Sequence, residues 1–346
     1  MSIRHASITP SRANYCDMKS LIFLLASLTI VSSHAASVDD LTFRLINGGS
    51  SYEVDDCDVS AQGALVIPAS YNGKPVTEVG GFRGAEYLTS ITIPSSVTTI
   101  DRDAFDDCVN LVTITIPSSV TTIGWGAFSG CARLESITLP SGISSINTRM
   151  FSRCISLSSI TIPDSVTTIG GSAFSGCSRL ESIVIPAGVT SIGAYAFGGC
   201  SKLESIVIPA GVTSIGARAF SPCSRLESIV VTAGNTAYRS IDGILYDVSG
   251  ETLLQCPQYK LGQITIPGGV TRIAMWAFAY TGNGSSGGSS NASFSVSLPS
   301  SVTVIEDNAF RDSSIWAIEM PGVVHIGHEA FSSCSSLRSI VIPASV

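Results

Sequence analysis

The chain has 346 residues, of which 45% are hydrophobic and only 13% are charged, and its formal net charge is −7. Soluble domains usually carry about 25% charged residues, so the composition indicates either a membrane protein or a surface rich in Ser, Thr and Gly. Net acidity without a basic run disfavours phosphate backbones and anionic lipids, which excludes nucleic acid as an expected partner.

Residues 1–35 have the pattern of a leader followed by a secretory signal peptide. The apolar run 21–31 follows Lys19, and small residues precede a predicted cut after Ala35. These are the features of an exported precursor, and Met18 is its more natural start. No later apolar run approaches the ~20 residues that a spanning helix needs. We therefore expect a secreted or cell-surface protein with no membrane insertion after signal removal.

Residues 36–90 are more polar and less regular than the sequence that follows. Asn-Gly-Gly at 47–49 and Asn-Gly-Lys at 72–74 lie beside strand-like runs, as in β-hairpin turns. We predict an N-terminal cap and a first irregular repeat over 36–90, because the open end of a stacked structure must be covered.

A repeat dominates the remaining sequence, 91–346. Its motif I-x-I-P recurs every 23 residues from Ile91 to Ile229. One column of the repeat is phenylalanine, at Phe105, Phe128, Phe151, Phe174, Phe197 and Phe220. Another is cysteine, at Cys108, Cys131, Cys154, Cys177, Cys200 and Cys223. A fixed period of this length is typical of stacked units that bury their apolar faces only against one another.

One unit, "LVTITIPSSVTTIGWGAFSGC" at 111–131, shows how a coil would form. Ile114 and Ile116 alternate with threonines, which predicts a short strand with one buried face. Pro117 cannot donate a hydrogen bond, so pairing ends there. Gly124 supplies a bend, and we predict a one-turn helix after it. Stacking the coils about 4.8 Å apart places the phenylalanines and cysteines in the core.

The pattern L-x-S-I-x-I-P-x-x-V-x-x-I-G-x-x-A-F-x-x-C resembles the BspA-type leucine-rich repeat over roughly residues 60–346. The resemblance implies an α/β repeat solenoid, a right-handed leucine-rich-repeat-like stack of about 12 coils with short parallel β-strands and one-turn helices. It also implies a surface protein that binds or adheres and has no catalytic residues. The stretch 240–247 is similar to a hairpin insert of this family.

Two insertions interrupt the solenoid. Turn signals within 232–263 predict a projecting hairpin, which would carry Tyr238, Tyr246 and Tyr259. The Gly- and Ser-rich stretch 281–293 predicts a flexible loop. The sequence stops midway through a coil, for which we consider either a fragment or a terminal coil that pairs with another molecule.

The cysteine column is compatible with two states. Adjacent coils bring its members about 5 Å apart, which is within the Cα range of a disulfide, and export favours disulfides. Parallel side-chain directions oppose such a bridge, and cysteine packs well as a small buried hydrophobe. We therefore favour buried thiols, with inter-coil disulfides as the alternative.

Three patterns could indicate chemistry, and none predicts an active site. The sequence has no C-x-x-C pair, which argues against zinc. "GNGSSG" at 282–287 matches a phosphate-binding glycine pattern but lacks the strand and helix that this pattern needs. His325 and His328 fit surface positions on a bend and have no partners for nucleophilic catalysis. We therefore expect no enzyme, no metal and no cofactor.

The outward strand positions form the candidate binding surface. They are Thr92, Thr115, Thr138, Thr161, Val184, Val207 and Val230. A basic row at Arg133, Arg179, Lys202 and Arg225 lies beside an acidic row at Glu135, Glu181, Glu204 and Glu227. Tyr246 completes the candidate set. The alternative is a solvated face whose opposite charges only keep the solenoid soluble.

These observations predict a binding or adhesion scaffold, secreted or at the cell surface, whose partner is an extracellular protein or glycan. The alternative function is a structural component that assembles end to end through its uncapped terminal coil. Recognition of ice by a threonine ladder is disfavoured because threonine gives way to valine after Thr161. An enzyme is disfavoured because no titratable groups converge.

Overall fold

The computed structural model describes residues 34–282 and 293–346. Over these residues the chain is a β-solenoid of about 12 turns built from short parallel strands. The predicted leader lies outside the described residues except for His34 and Ala35. The predicted flexible loop also lies outside them except at its two ends.

Most I-x-I-P segments form a first ladder of parallel strands, whereas the segments at 183–185 and 340–342 have no assigned strand. Ile206 and Ile229 are register partners and point inward. Each strand ends in a turn in which the proline carbonyl accepts a hydrogen bond from the backbone N–H three residues on, as between Pro186 and Val189. The strands are His34–Ala35, Ala61–Val66, Leu88–Thr92, Thr113–Thr115, Ser205–Ile208, Ser228–Val231, Gly262–Thr265, Phe294–Ser297 and Ile315–Glu319, and a single bridge joins Thr138 to Thr161.

A second ladder follows the turn in each coil and buries the isoleucine of the I-G pair. The glycine is required by a close approach: a Cβ at Gly124 would lie 2.3 Å from the backbone nitrogen of Arg102 in the preceding coil. The strands are Lys74–Val79, Thr99–Ile100, Thr122–Ile123, Ser145–Ile146, Thr168–Ile169, Ser191–Ile192, Ser214–Ile215, Thr252–Gln255, Arg272–Ile273, Val304–Ile305 and His325–Ile326.

The third wall of each coil consists of turns, so the prediction of one-turn helices is wrong. The N–H groups of Gly126, Phe128 and Gly130 donate to carbonyls of the next coil. Because alternate N–H groups are used between coils, the i to i−4 hydrogen bonds of an α-helix cannot form. The helical segments among the described residues are two short 3₁₀ turns, Val38–Asp40 and Asn47–Gly49.

The core contains a column of stacked phenylalanine rings. Ring centroids lie 5.5 Å apart between Phe105 and Phe128, and 5.6 Å apart between Phe128 and Phe151, with nearly parallel planes. The stack runs from Phe82 to Phe220, and every ring in it is fully buried. Because each ring packs between rings of its neighbours, the position of one coil fixes the next.

The cysteine column lies beside the rings, and its thiols donate to the backbone carbonyls of the phenylalanines. The Cys131 thiol donates to the carbonyl oxygen of Phe105 at 3.2 Å, and the same contact recurs from Cys154 to Phe128 at 3.1 Å. The nine cysteines that the structure describes carry no disulfide. Burial raises the pKa of the Cys108 thiol to about 12. The thiols therefore link neighbouring coils as neutral donors.

A hairpin caps the first coil. Strands Leu41–Ile46 and Ser51–Cys57 pair antiparallel, and Ser51–Cys57 pairs in parallel with Lys74–Val79 at the start of the second ladder. The ring of Phe43 stacks on that of Tyr71 with centroids 4.1 Å apart. The remaining cap strand is Ser70–Tyr71.

The insert at 232–263 contains a hairpin that joins the second ladder. Tyr238–Ile241 pairs antiparallel with Ile244–Asp247 across the Asp242–Gly243 turn, whose two residues have positive φ as this turn type requires. Ile244–Asp247 pairs in turn with Thr252–Gln255, which continues the ladder in parallel.

The hairpin is packed into the body, so the prediction that it exposes Tyr246 is wrong. Tyr246 is only 1% exposed. The buried hydrophobic residues form two clusters, an N-terminal core from Leu41 to Ile229 and a C-terminal core from Ile244 to Ala330. Tyr246 packs with Ile244 in the C-terminal core, whereas Leu245 between them packs in the N-terminal core. An isolated two-stranded hairpin is marginally stable in water, and burying alternate side chains in two cores supplies the missing stabilisation.

An arginine joins the coils on the two sides of the insert. The Arg218 guanidinium carbon lies 4.3 Å from the ring centre of Trp276. The same group donates to the hydroxyls of Tyr195, at 3.0 Å, and Tyr280, at 2.9 Å. The insert separates the stack that ends at Phe220 from a second stack of Phe278, Phe310 and Phe331. The Arg218 cluster therefore connects the coils on the two sides of this break.

The cap contains a buried carboxylate. The Oε2 atom of Glu53 accepts a 2.6 Å hydrogen bond from Arg44, and carboxylate oxygens of Glu53, Glu78 and Asp101 lie within 4.8 Å of one another. Burial, together with the hydrogen bond and charge of Asp101, raises the pKa of Glu53 to about 7.

Replacing Phe151 by alanine removes one ring from the middle of the stack. Because rings pack against it from both sides, we expect the free energy of unfolding to fall by about 3–5 kcal/mol. Urea unfolding followed by circular dichroism measures this change. The control Thr161→Ala, on the exposed face, should stay within about 0.5 kcal/mol of wild type. Equal effects of the two substitutions would contradict the stacked core.

Glu53 makes the stability of the cap depend on pH. Its pKa is about 7 in the folded chain, against an ordinary value of 4.5. The stabilisation by protonated Glu53 is therefore complete below pH 4.5 and is lost as the pH rises through 7. We expect the melting temperature of wild type, relative to Glu53→Gln, to fall between pH 5 and pH 8.

The exposed Glu135→Gln serves as the control, and its melting temperature should track wild type across this pH range. A Glu53→Gln protein whose melting temperature also tracks wild type at every pH would show that Glu53 keeps an ordinary pKa.

Candidate functional site

The predicted strand-face residues lie in one exposed column, which confirms the alternation that placed them there. Thr92 pairs in register with Thr115, and Val207 pairs with Val230. Every member is exposed: Thr92, Thr115, Thr138, Thr161, Val184, Val207 and Val230. Their part in binding stays a prediction.

Three consecutive members of the column form an apolar patch. Val184, Val207 and Val230 are 81%, 51% and 42% exposed. Burying an exposed valine side chain is favourable by about 1.5–3 kcal/mol, and this free energy is not gained while these side chains face water. The patch is therefore the apolar centre of the candidate surface, which is called the valine patch below.

Two rows of charge flank the valine patch. Arg179, Lys202 and Arg225 are all exposed, and each lies two residues before an exposed glutamate. Lys202 Nζ donates to Glu181 Oε1 of the preceding coil at 2.9 Å, and this hydrogen bond lowers the pKa of Glu181. Ion pairs between exposed side chains contribute little stability. Substituting the charged residues of these rows should therefore leave the fold intact.

The insert supplies an aromatic side chain at the edge of this surface. Tyr259 is exposed, and its N–H donates to the Leu226 carbonyl at 2.8 Å. A shallow depression of about 220 Å³ there is lined by Glu204, Arg225, Glu227 and Tyr259. Of the three tyrosines expected on the insert, Tyr259 takes the place predicted for Tyr246. The hydroxyl of Tyr238 instead accepts a backbone hydrogen bond.

Arg133 does not belong with the other basic residues. Ser156 occupies the corresponding position of the next coil and interrupts the row. Arg133 donates to Asn110 Oδ1 at 3.5 Å and lines a separate depression of about 540 Å³ with Tyr87 and Gln62. The structure thus divides the predicted basic row into two regions.

Sequence reasoning missed Trp316, an exposed tryptophan at the other end of the first ladder. It lies two residues before the inward Ile318. In the repeat this position corresponds to that of the exposed Glu181, which lies two residues before Ile183. The exposure of Glu181 could have indicated that Trp316 is exposed as well. However, Phe294 occupies the same position in the preceding coil and is buried, so it suggests a buried side chain instead.

Two groups of side chains within the described ranges have the spacing of metal ligands. One is the cap carboxylate cluster of Glu53, Glu78 and Asp101, and the other consists of His34, Asp40 and Asp58. Each already has protein partners: Arg44 donates to Glu53, and His34 is hydrogen-bonded to Asp40. Neither set was singled out from the sequence.

The two histidines considered as catalytic candidates lie at the surface. His325 and His328 are exposed, and the His328 N–H donates to Asp307 Oδ1 at 2.7 Å. Most of the glycine pattern at 282–287 lies outside the described residues. Within 34–282 and 293–346, no helix is both long and apolar enough to cross a membrane.

Solved structures with the same architecture come from several bacteria. A leucine-rich cell-surface protein from Faecalibacterium prausnitzii is 31% identical, with 91% of this chain and 84% of that chain covered and a TM-score of 0.75. A leucine-rich repeat protein from Bacteroides ovatus is 26% identical, with 90% and 83% covered and a TM-score of 0.60. One from T. pallidum is 30% identical, with 56% and 91% covered and a TM-score of 0.50.

No curated protein matches the chain. The family model described as a BspA type leucine rich repeat region matches residues 78–188, 144–243 and 255–346, in six copies. These matches span most of the solenoid, including the phenylalanine and cysteine columns. The resemblance found in the repeat is confirmed: the chain belongs to the BspA-type leucine-rich repeat family.

Proposed function

We propose that the chain is a secreted or cell-surface binding scaffold whose exposed strand face docks an extracellular protein or glycan. The observation that carries the proposal is the valine patch, three outward valines in consecutive coils, of which Val207 and Val230 are register partners. The inward positions are committed to packing, so recognition has only the outward positions to use.

The composition of the middle of this face fits a protein partner. Protein interfaces combine an apolar centre with a polar rim that excludes water. Here Val184, Val207 and Val230 supply the centre, and the basic and acidic rows with Tyr259 supply the rim. Threonine at the same positions would serve the strand equally well, as Thr115 and Thr138 do, so strand formation does not require valine.

Two observations support a location outside the cell. Residues 19–35 have the charge, apolar run and small-residue exit of an exported precursor. The F. prausnitzii relative is itself described as a cell-surface protein. A scaffold exported in this way would meet proteins and glycans of its surroundings rather than cytoplasmic partners.

The rim predicts which substitutions weaken binding. Reversing charge at Arg179, Lys202 and Arg225 together should raise Kd at least tenfold, about 1.4 kcal/mol, because the rim would then repel what it now attracts. The purified chain is first tested against immobilised extracellular-matrix proteins, mucins and polysaccharides, and Kd for each bound partner is measured by surface plasmon resonance.

The matched control reverses Arg102, Arg149 and Arg153, which are exposed outside the strand ladders. It should bind like wild type, and both triple variants should keep the wild-type circular dichroism spectrum. Unchanged binding by the rim variant, or an equal loss in the control, would count against the strand face as the docking surface.

A further inference from the structure

A groove of about 350 Å³ lies on the first ladder beyond the insert. Its floor is a three-stranded parallel sheet formed by Gly262–Thr265, Phe294–Ser297 and Ile315–Glu319. Its volume is at the lower end of the range for small-molecule sites, about 300–1,000 Å³. This groove is separate from the valine patch, because the strands of the groove and those of Val207 and Val230 belong to different sheets.

A β-bulge places Trp316 at the groove. Phe294 pairs with Ile315, but the next residue, Ser295, pairs with Ala317, so Trp316 is the extra residue on its strand. Ile315 and Phe294 are both fully buried, whereas the indole of Trp316 is 44% exposed. A bulge of this kind redirects a side chain, and here it turns a large aromatic ring toward solvent.

The space beside the indole is open because two neighbouring coils place no side chain there. At the equivalent position of the preceding coil, Phe294 points into the core. One coil earlier the position is Gly262, where an added Cβ would have nothing within 4 Å. A trough thus runs across the strands along the edge of Trp316.

The trough is lined by uncharged polar groups and one carboxylate. Gln263 offers an amide, Ser295 and Ser297 offer hydroxyls, and Ser297 Oγ donates to Glu319 Oε2 at 3.2 Å. None of the described residues that line it is a cation. Among these lining residues a phosphate, a sulfate or an acidic sugar would find no positive partner and would be repelled by Glu319. The exposed Arg338 lies outside the lining, in the next coil, where its N–H donates to the Trp316 carbonyl at 3.4 Å.

This combination selects a ligand that has an apolar face and many hydroxyls. The indole face attracts C–H groups, since it is the negative side of the aromatic quadrupole. Amide, hydroxyl and carboxylate groups donate to and accept from sugar hydroxyls. The strands repeat every 4.8 Å or so, which suits an extended chain that crosses them.

We propose that this groove binds a neutral glycan, with one pyranose ring stacked on Trp316 and its hydroxyls hydrogen-bonded by Gln263 and Glu319. The inference rests on the proposed function, because it names the partner class for one region of the strand face. It assigns the C-terminal region to sugar recognition, whereas the valine patch fits a protein.

The test uses the purified chain and neutral oligosaccharides of glucose, mannose, galactose, xylose and N-acetylglucosamine, each titrated by calorimetry. At least one should bind, and Trp316→Ala should weaken it at least tenfold. Trp316→Phe should retain more of the affinity, because an aromatic ring remains. Gln263→Ala should weaken binding severalfold, and a sulfated form of the bound sugar should bind less tightly.

Trp125→Ala is the matched control, since Trp125 is 57% exposed on the turn wall and its loss should leave sugar binding unchanged. The proposal is overturned if no neutral oligosaccharide binds, or if Trp125→Ala and Trp316→Ala lose affinity equally. It is also overturned if Trp316→Ala loses a protein partner while wild type binds no sugar. In these cases the rim variants still decide the proposed function independently.

Discussion

The structure depends on the register between successive coils. Each phenylalanine ring lies about 5.5 Å from the rings above and below it, and backbone N–H groups of one coil donate to carbonyls of the next. A coil cannot change its phenylalanine without leaving a cavity shared by two neighbours. The inward residues therefore recur with a fixed period, and the outward residues are released from that constraint.

Hydrogen bonding reinforces the same register. The Phe105 carbonyl accepts from the Cys108 N–H of its own coil and from the Cys131 thiol of the next. Cysteine suits this position because it is small and apolar, yet it can donate. Buried thiols with raised pKa values are poor nucleophiles. Seven of the described cysteines donate to a phenylalanine carbonyl of the preceding coil and so add cohesion between coils.

Much of this could be predicted from sequence, because the repeat makes one coil informative about all the others. The 23-residue spacing gave the phenylalanine and cysteine columns, the glycine bend and the exposed threonine and valine column. Parallel side-chain directions already favoured thiols over disulfides, but the hydrogen bonds from these thiols to carbonyls of the preceding coil could not be seen in the sequence. The turn wall was mistaken for a helix because inter-coil hydrogen bonding of alternate N–H groups is invisible in one coil.

The features that sequence reasoning missed or predicted wrongly lie where the repeat is interrupted. Tyr246 is in an insert with no second copy, so nothing in the sequence indicated which of its faces is buried. Trp316 shares its position with Phe294, and only the bulge separates an exposed ring from a buried one. The Glu53 cluster and the Arg218 contacts join residues far apart in sequence, and the 23-residue period does not predict such contacts.

Both candidate binding regions follow from the same stacking. In the valine patch, the 23-residue repeat places one outward valine in each of three consecutive coils. At the groove, a local shift in register exposes Trp316 and leaves space beside it. The scaffold thus provides two kinds of surface on one ladder, a flat one with charged margins and a concave one with uncharged polar groups.

The stacking itself is tested most directly by distances between spin labels on the exposed column. Cysteines introduced at Thr92 and at Val184, Val207 or Val230 give pairs four, five and six coils apart. The labelled protein also carries Cys334→Ser, because Cys334 is only partly buried, and the other described thiols are buried and should stay unlabelled. Electron–electron double resonance should show the mean distance rising by about 4.8 Å per added coil. Distances that do not increase along this series would contradict the stack.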